Sequence, residues 1–120
     1  MKLNLNLYPA EISILNELIT KLDIETLKTL NPSEENHNNY YRLLTVFDKI
    51  HDAIKPPEID HNSVNTTFLI NCNVSITDYE SKLFRDFIYI LDGYMINKLG
   101  MTNHNLTFHV INRLKGVINS

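Results

Sequence analysis

The sequence predicts a mostly α-helical fold with a short two-stranded antiparallel β-ribbon, built as a duplicated β-α-α unit. Three observations predict it. Lys2-Leu3-Asn4-Leu5-Asn6-Leu7 alternates polar and apolar without a break, the period-two signature of a half-buried strand. The same alternation returns at Asn71-Cys72-Asn73-Val74-Ser75-Ile76. Behind each strand the apolar residues change to three- and four-residue spacing, which marks amphipathic helices. A ribbon of two strands is marginal alone and needs helices on its apolar face. One strand and two helices from each half supply a single core if the strands pair antiparallel across a pseudo-twofold axis.

Each element has its own reason. In the first strand Leu3, Leu5 and Leu7 share one face, and Lys2, Asn4 and Asn6 share the other. Tyr8-Pro9-Ala10-Glu11 starts a helix, because proline suits the first turn and Glu11 suits the positive end of the dipole. Ile12, Leu15, Ile19 and Leu22, widened by Ile14 and Leu18, predict a helix over about 9–23, and the apolar stripe offers a continuation through Leu27 to Leu30. Asn31-Pro32 ends it, since the residue before proline disfavours the helical region. Residues 33–39 form a polar connection. Leu43, Leu44, Phe47, Ile50 and Ile54 predict the second helix, which Lys55-Pro56-Pro57 stops, and residues 58–67 show no periodicity.

The second strand is expected at about 69–76. Thr77-Asp78-Tyr79-Glu80 then reads as a capped helix start. Leu83, Phe84, Phe87, Ile88, Leu91 and Met95 make one broad apolar face, and Gly100 sits where a helix C-terminus favours glycine. A polar turn over 101–105 leads to a last helix carrying Val110, Ile111, Leu114, Val117 and Ile118. The domain organisation is therefore a first repeat at 1–54, a linker at 55–68 and a second repeat at 69–120, both forming one compact domain.

The halves align without a gap from Asn4–Asp23 onto Asn73–Asp92. Asn4, Glu11, Ile19, Leu22 and Asp23 meet Asn73, Glu80, Ile88, Leu91 and Asp92 as identities. Two residues drop out of the second connection, after which Asn36-His37-Asn38 meets Asn103-His104-Asn105. A repeated unit unable to bury its own apolar face stacks on its copy.

Composition narrows the function. The formal net charge is -3, a balance that points away from nucleic acid and keeps a protein partner in view. Cys72 is the one cysteine, so no disulfide framework or cysteine-based metal site is expected. No apolar run approaches the roughly 20 residues of a membrane span, and the N-terminus does not read as a signal peptide. The expected setting is soluble, reducing and cytoplasmic, the host cell's cytoplasm if the protein is viral. The abundance of Asn, Ile, Leu and Lys fits an AT-rich genome, as in a virus, phage or low-GC bacterium. The five histidines show no metal-ligand spacing, and no nucleophile, glycine loop or paired-carboxylate motif stands out. No enzyme activity, cofactor or metal is expected. Cys72 is expected in the core, and Tyr40, Tyr41, Tyr89 and Tyr94 at the core edge rather than on an aromatic binding surface.

The order strand, helix, polar turn, helix resembles the ribbon-helix-helix repressors, here as a tandem duplication in one chain. Leu3 to Glu11 is similar to that family's alternating strand leading into a helix. Leu99-Gly100-Met101-Thr102-Asn103 is similar to its Gly-centred turn. The resemblance covers residues 2–54 and 70–118. It implies a small transcriptional regulator that reads double-stranded DNA in the major groove with outward polar side chains of the ribbon. Carried over, the base readers are Lys2, Asn4 and Asn6 with Asn71, Asn73 and Ser75. The phosphate anchors, at the N-terminus of each second helix, are Asn36, His37 and Asn38 with Thr102, Asn103, His104 and Asn105. The chemistry is sound: Asn pairs bidentately with adenine and Lys reaches guanine, while a helix N-terminus offers N–H groups to phosphate. The alternative is a virus-, phage- or mobile-element-encoded interaction module, an inhibitor or immunity-type protein that binds a host protein. Both readings start from a pseudo-dimer within one chain and leave further homodimerisation open.

Overall fold

The computed structural model describes residues 2–54 and 69–118. The linker expected at 55–68, with its stop at Lys55-Pro56-Pro57, lies outside the described residues. The elements run β1 (Lys2–Leu7), α1 (Pro9–Lys21), α2 (Ile24–Leu30), α3 (Asn38–Ala53), β2 (Ile70–Ser75), α4 (Asp78–Ile90), α5 (Gly93–Leu99) and α6 (His104–Ile118). Among the described residues the fold is mostly helical, with one two-stranded antiparallel sheet.

The strands pair as their alternation requires. Lys2 lies opposite Ser75, Asn4 opposite Asn73, and Asn6 opposite Asn71. Leu3, Leu5, Leu7, Cys72 and Val74 are buried beneath the ribbon, and Asn4 and Asn73 are exposed. β1 packs on α6 and β2 on α3, while α1 packs on α6 and α4 on α3. Each strand thus lies under the last helix of the other half, and the two halves share one core. Leu15, Phe47, Phe84 and Leu114 are all buried within it. Phe47 meets Phe84 and Phe87 edge-on, with ring centroids 5.8 and 5.6 Å away, a favoured aromatic geometry.

The expected β-α-α unit needs correction, because each half folds as β-α-α-α. The helix expected at about 9–23 is α1, ending at Lys21, but its continuation to Leu30 is a separate helix, α2, and the single helix expected from Asp78 to Leu99 breaks after α4. The cause is an aspartate in each half. Asp23 and Asp92 have extended backbones at φ -102° and -119°. Asp23 Oδ1 accepts the Thr26 N–H at 2.7 Å, and Asp92 Oδ1 accepts the Met95 N–H at 3.0 Å. Each is an N-cap that starts a new short helix. The apolar stripe runs through both breaks, since Leu22 and Leu91 are themselves buried. Burial therefore continues while the helix axis changes direction.

Local chemistry explains the other termini. Pro9 opens α1, and Glu11 Oε1 accepts the Tyr8 N–H at 2.8 Å. Thr77 and Glu80 form the expected reciprocal box at the start of α4, with bonds of 3.1 and 2.9 Å. Gly100 ends α5 at φ 67°, a conformation that side chains with a Cβ disfavour. No helix among the described residues is long and apolar enough to cross a membrane.

Candidate nucleic-acid interface

The outer face of the ribbon is built entirely from small polar side chains and one lysine. Lys2, Asn4, Asn6, Asn71, Asn73 and Ser75 are all exposed, because a half-buried strand turns every second side chain to solvent. Asn4 and Asn73 form the central rung of this face. Asn71 Nδ2 donates to Asn6 Oδ1 at 2.7 Å, tying the rung next to it. Beside β1 runs a groove of about 270 Å³ lined by Asn4 to Leu7 together with Arg113, Leu114, Gly116 and Val117 of α6. The structure thus gathers the six expected base readers on one surface.

The helix N-termini tell a different story. The Asn36 carboxamide oxygen accepts the Asn38 N–H at 3.1 Å, and the Asn36 N–H donates to Glu34 Oε1 at 3.1 Å. Glu34 Oε1 also accepts from the Asn39 carboxamide at 2.9 Å. Asn103 Oδ1 accepts the Leu106 N–H at 3.0 Å. The Thr102 N–H and hydroxyl both donate to Glu17 Oε1, at 3.1 and 2.6 Å. That bond, the Thr102 hydroxyl foremost, holds the Glu17 carboxyl below the usual carboxylate range. So Asn36, just before the N-cap of α3, binds the first N–H of that helix, Asn103 caps α6, and a carboxylate of this chain sits at each of these two sites. His37, Asn38, His104 and Asn105 are exposed around them.

Sequence reasoning missed the charged pairs that join the halves. Glu11 is buried at the start of α1, and its Oε2 lies 3.0 Å from His109 Nε2 and within ion-pair reach of Arg113 Nε, both on α6. Arg113 also stacks over the Tyr8 ring at 5.5 Å. In the other half Lys49 of α3 reaches the two Glu80 oxygens at 3.2 and 3.3 Å. The Thr77 N–H, more than Lys49, keeps the Glu80 carboxyl below its usual range. The local signal was the matched Glu11 and Glu80; the partners lie far away in the chain. Lys49 and Arg113 stand on the helices that pack against the strands, so charged groups flank the ribbon but arrive already paired.

The remaining candidates lie off the outer face of the ribbon. Cys72 is buried beneath it, and burial pushes its thiol pKa up. Tyr40 is buried and donates its hydroxyl to the Asn31 carbonyl. Tyr41, Tyr89 and Tyr94 are instead exposed, which corrects their expected core-edge placement. Among the described residues no three His, Cys, Asp or Glu side chains converge on a metal position. No protein-family model matches the chain, and neither a curated protein nor a solved structure matches it.

Proposed function

We propose that the chain is an internally duplicated pseudo-dimer whose ribbon reads DNA in the major groove as a small transcriptional regulator. The observation that carries this reading is the central rung. The sequence repeat equates Asn4 with Asn73, and the ribbon register sets Asn4 opposite Asn73. Two repeats related by a twofold axis through their ribbon require that coincidence. It leaves two adenine-competent carboxamides at the midpoint of an exposed face, flanked by Asn6, Asn71, Lys2 and Ser75. A two-stranded ribbon fits a major groove, and a twofold reader fits a palindromic site. Phosphates in this reading meet the exposed His37, Asn38, His104 and Asn105 side chains, because Asn36, Thr102 and Asn103 are engaged in capping or with Glu17 and Glu34.

The test is an electrophoretic retardation assay with DNA from the protein's own upstream region, run at two salt concentrations. Binding through phosphates weakens steeply with salt. Replacing Asn4 and Asn73 with Ala should shift stability by under about 0.5 kcal/mol and reduce specific binding by about 1–3 kcal/mol per lost base contact. Non-specific binding should hold. A parent that binds no DNA at low salt, or a double variant that binds its site like the parent, would sink the assignment.

Two observations favour the second reading, a cytoplasmic interaction module of viral, phage or mobile-element origin that binds a host protein. The chain is acidic, and its own carboxylates sit where phosphates would dock. A module that binds protein through the ribbon would lose its partner, not DNA, in the same double variant.

A further inference from the structure

The short helices α2 and α5 share an open groove on the surface. A groove of about 380 Å³ runs between them, lined by Glu25, Thr26, Thr29 and Leu30 of α2 and by Lys98 and Leu99 of α5. The two banks differ in chemistry. The α2 bank carries the Glu25 carboxylate and two hydroxyls. The α5 bank carries Lys98, whose ammonium lies 4.7 Å from the Tyr94 ring centroid. Tyr94 is 67% exposed, the most exposed large apolar side chain among the described residues, and it has the size to enter such a groove.

We propose that this surface is a dimer interface, and that its occupant is a second copy of the chain. The argument is charge complementarity within one face. An anionic partner laid across both banks would meet Glu25, and a cationic one would meet Lys98. A second copy rotated by a half-turn meets neither penalty, because its α5 bank covers the α2 bank of the first and the reverse. Such an isologous contact closes at two chains. Lys98 of each copy then faces Glu25 of the other, and each Tyr94 enters the opposite groove over Leu30 and Leu99. Aromatic residues at the centre of a contact with charges at its rim are the usual anatomy of an interface. None of the groove's lining residues belongs to the ribbon, so this pairing stands or falls separately from DNA reading.

Sedimentation velocity on the full chain at low salt tests it by charge reversal. The wild-type chain should form a concentration-dependent dimer. Lys98→Glu and Glu25→Lys should each weaken the dimer at least about tenfold, because each sets like charges against each other twice. Mixing the two variants restores opposite charges at both contacts, so a 1:1 heterodimer should return with near wild-type affinity. Tyr94→Ala should weaken dimerisation with no charge to rescue it. Circular dichroism should show all variants folded, since these three side chains are exposed. A wild-type chain that stays monomeric up to about 1 mM overturns the proposal. So do single variants that dimerise like wild type, or a mixture that fails to recover.

Discussion

Residues 2–54 and residues 69–118 share an architecture and differ in surface. Their strands have six residues each, their first helices 13 each, their second helices seven each, and their last helices 16 and 15. The first region carries five basic and eight acidic side chains, the second five and four. The agreement lies in what is buried, and the divergence in what water sees. Both halves contribute to one core, since each strand lies beneath the other half's last helix. Side chains outside that core are free to differ. This is why Asn4 and Asn73 are informative: they are exposed, yet the same residue stands at both places.

The largest effect should come from a part of the core where the halves are unlike. Phe47 packs with Phe84 and Phe87 on one side, while aligning the sequences of the two halves sets the smaller Leu114 and Leu15 against Phe47 and Phe84. Phe47→Ala should cost about 3–5 kcal/mol, of which about 0.5–1.5 per ring pair comes from aromatic geometry. Leu114→Ala should cost about 2–5 kcal/mol. Urea denaturation that shows under about 1 kcal/mol of loss for Phe47→Ala would mean that the aromatic cluster does not hold the halves together.

The joining ion pairs offer a second contrast. At neutral pH, Glu80→Gln removes charged hydrogen bonds to the Thr77 N–H and to Lys49, and should cost roughly 1.5–3 kcal/mol. Glu11→Gln should cost more, because Glu11 is more deeply buried and faces both His109 and Arg113. Glu80 also predicts a pH dependence. Its carboxyl is held below the usual range by the Thr77 N–H, with Lys49 adding to this against the opposing push of burial. Its contribution is therefore complete above the unfolded value of about 4.3 and is lost as pH falls through the lower folded value. Glu17 adds in the same direction through Thr102. Thermal denaturation from pH 7 to pH 3 should show an acid loss that is shallower in Glu80→Gln. An unchanged acid limb would mean that the Glu80 network is not formed in solution.

What the sequence made legible follows from the range of each interaction. Strand alternation is local, so the ribbon, its buried face and the exposure of all six polar side chains were readable from it. The helical stripes located Leu15, Phe47, Phe84 and Leu114 for the same reason. The break at Asp92 was not legible, and the one at Asp23 only as the end of the 9–23 helix, because the apolar stripe passes through Leu22 and Leu91 without interruption and no proline marks the place. An aspartate with a backbone N–H three residues on was the available signal, and it looks the same inside a helix until the cap forms. The site suffered most where it depends on distant residues. Nothing near Thr102 in the chain announces that Glu17 occupies its donors, and nothing near Glu11 announces Arg113.

The smallest predicted effect lies in the connections where the halves differ in length. Residues 100–103 join α5 to α6, and Gly100 takes φ 67° there. Residues 31–37 join α2 to α3 in the other half, and Asn31 takes φ -133°. The shorter link must reverse the chain within fewer residues, which is what the left-handed glycine accomplishes. A Cβ built on Gly100 would meet nothing nearer than Lys21 Nζ at 3.9 Å, so Gly100→Ala carries a backbone penalty with no clash. That penalty is roughly 1 kcal/mol. Asn31→Ala has no such term and loses one exposed contact, the Ser33 hydroxyl donating to Asn31 Oδ1; it should stay within about 0.5 kcal/mol of wild type. The two variants measured side by side by urea denaturation should differ in that order. Equal costs would mean that the two connections are alike in backbone strain, and the shorter one would need another explanation for its glycine.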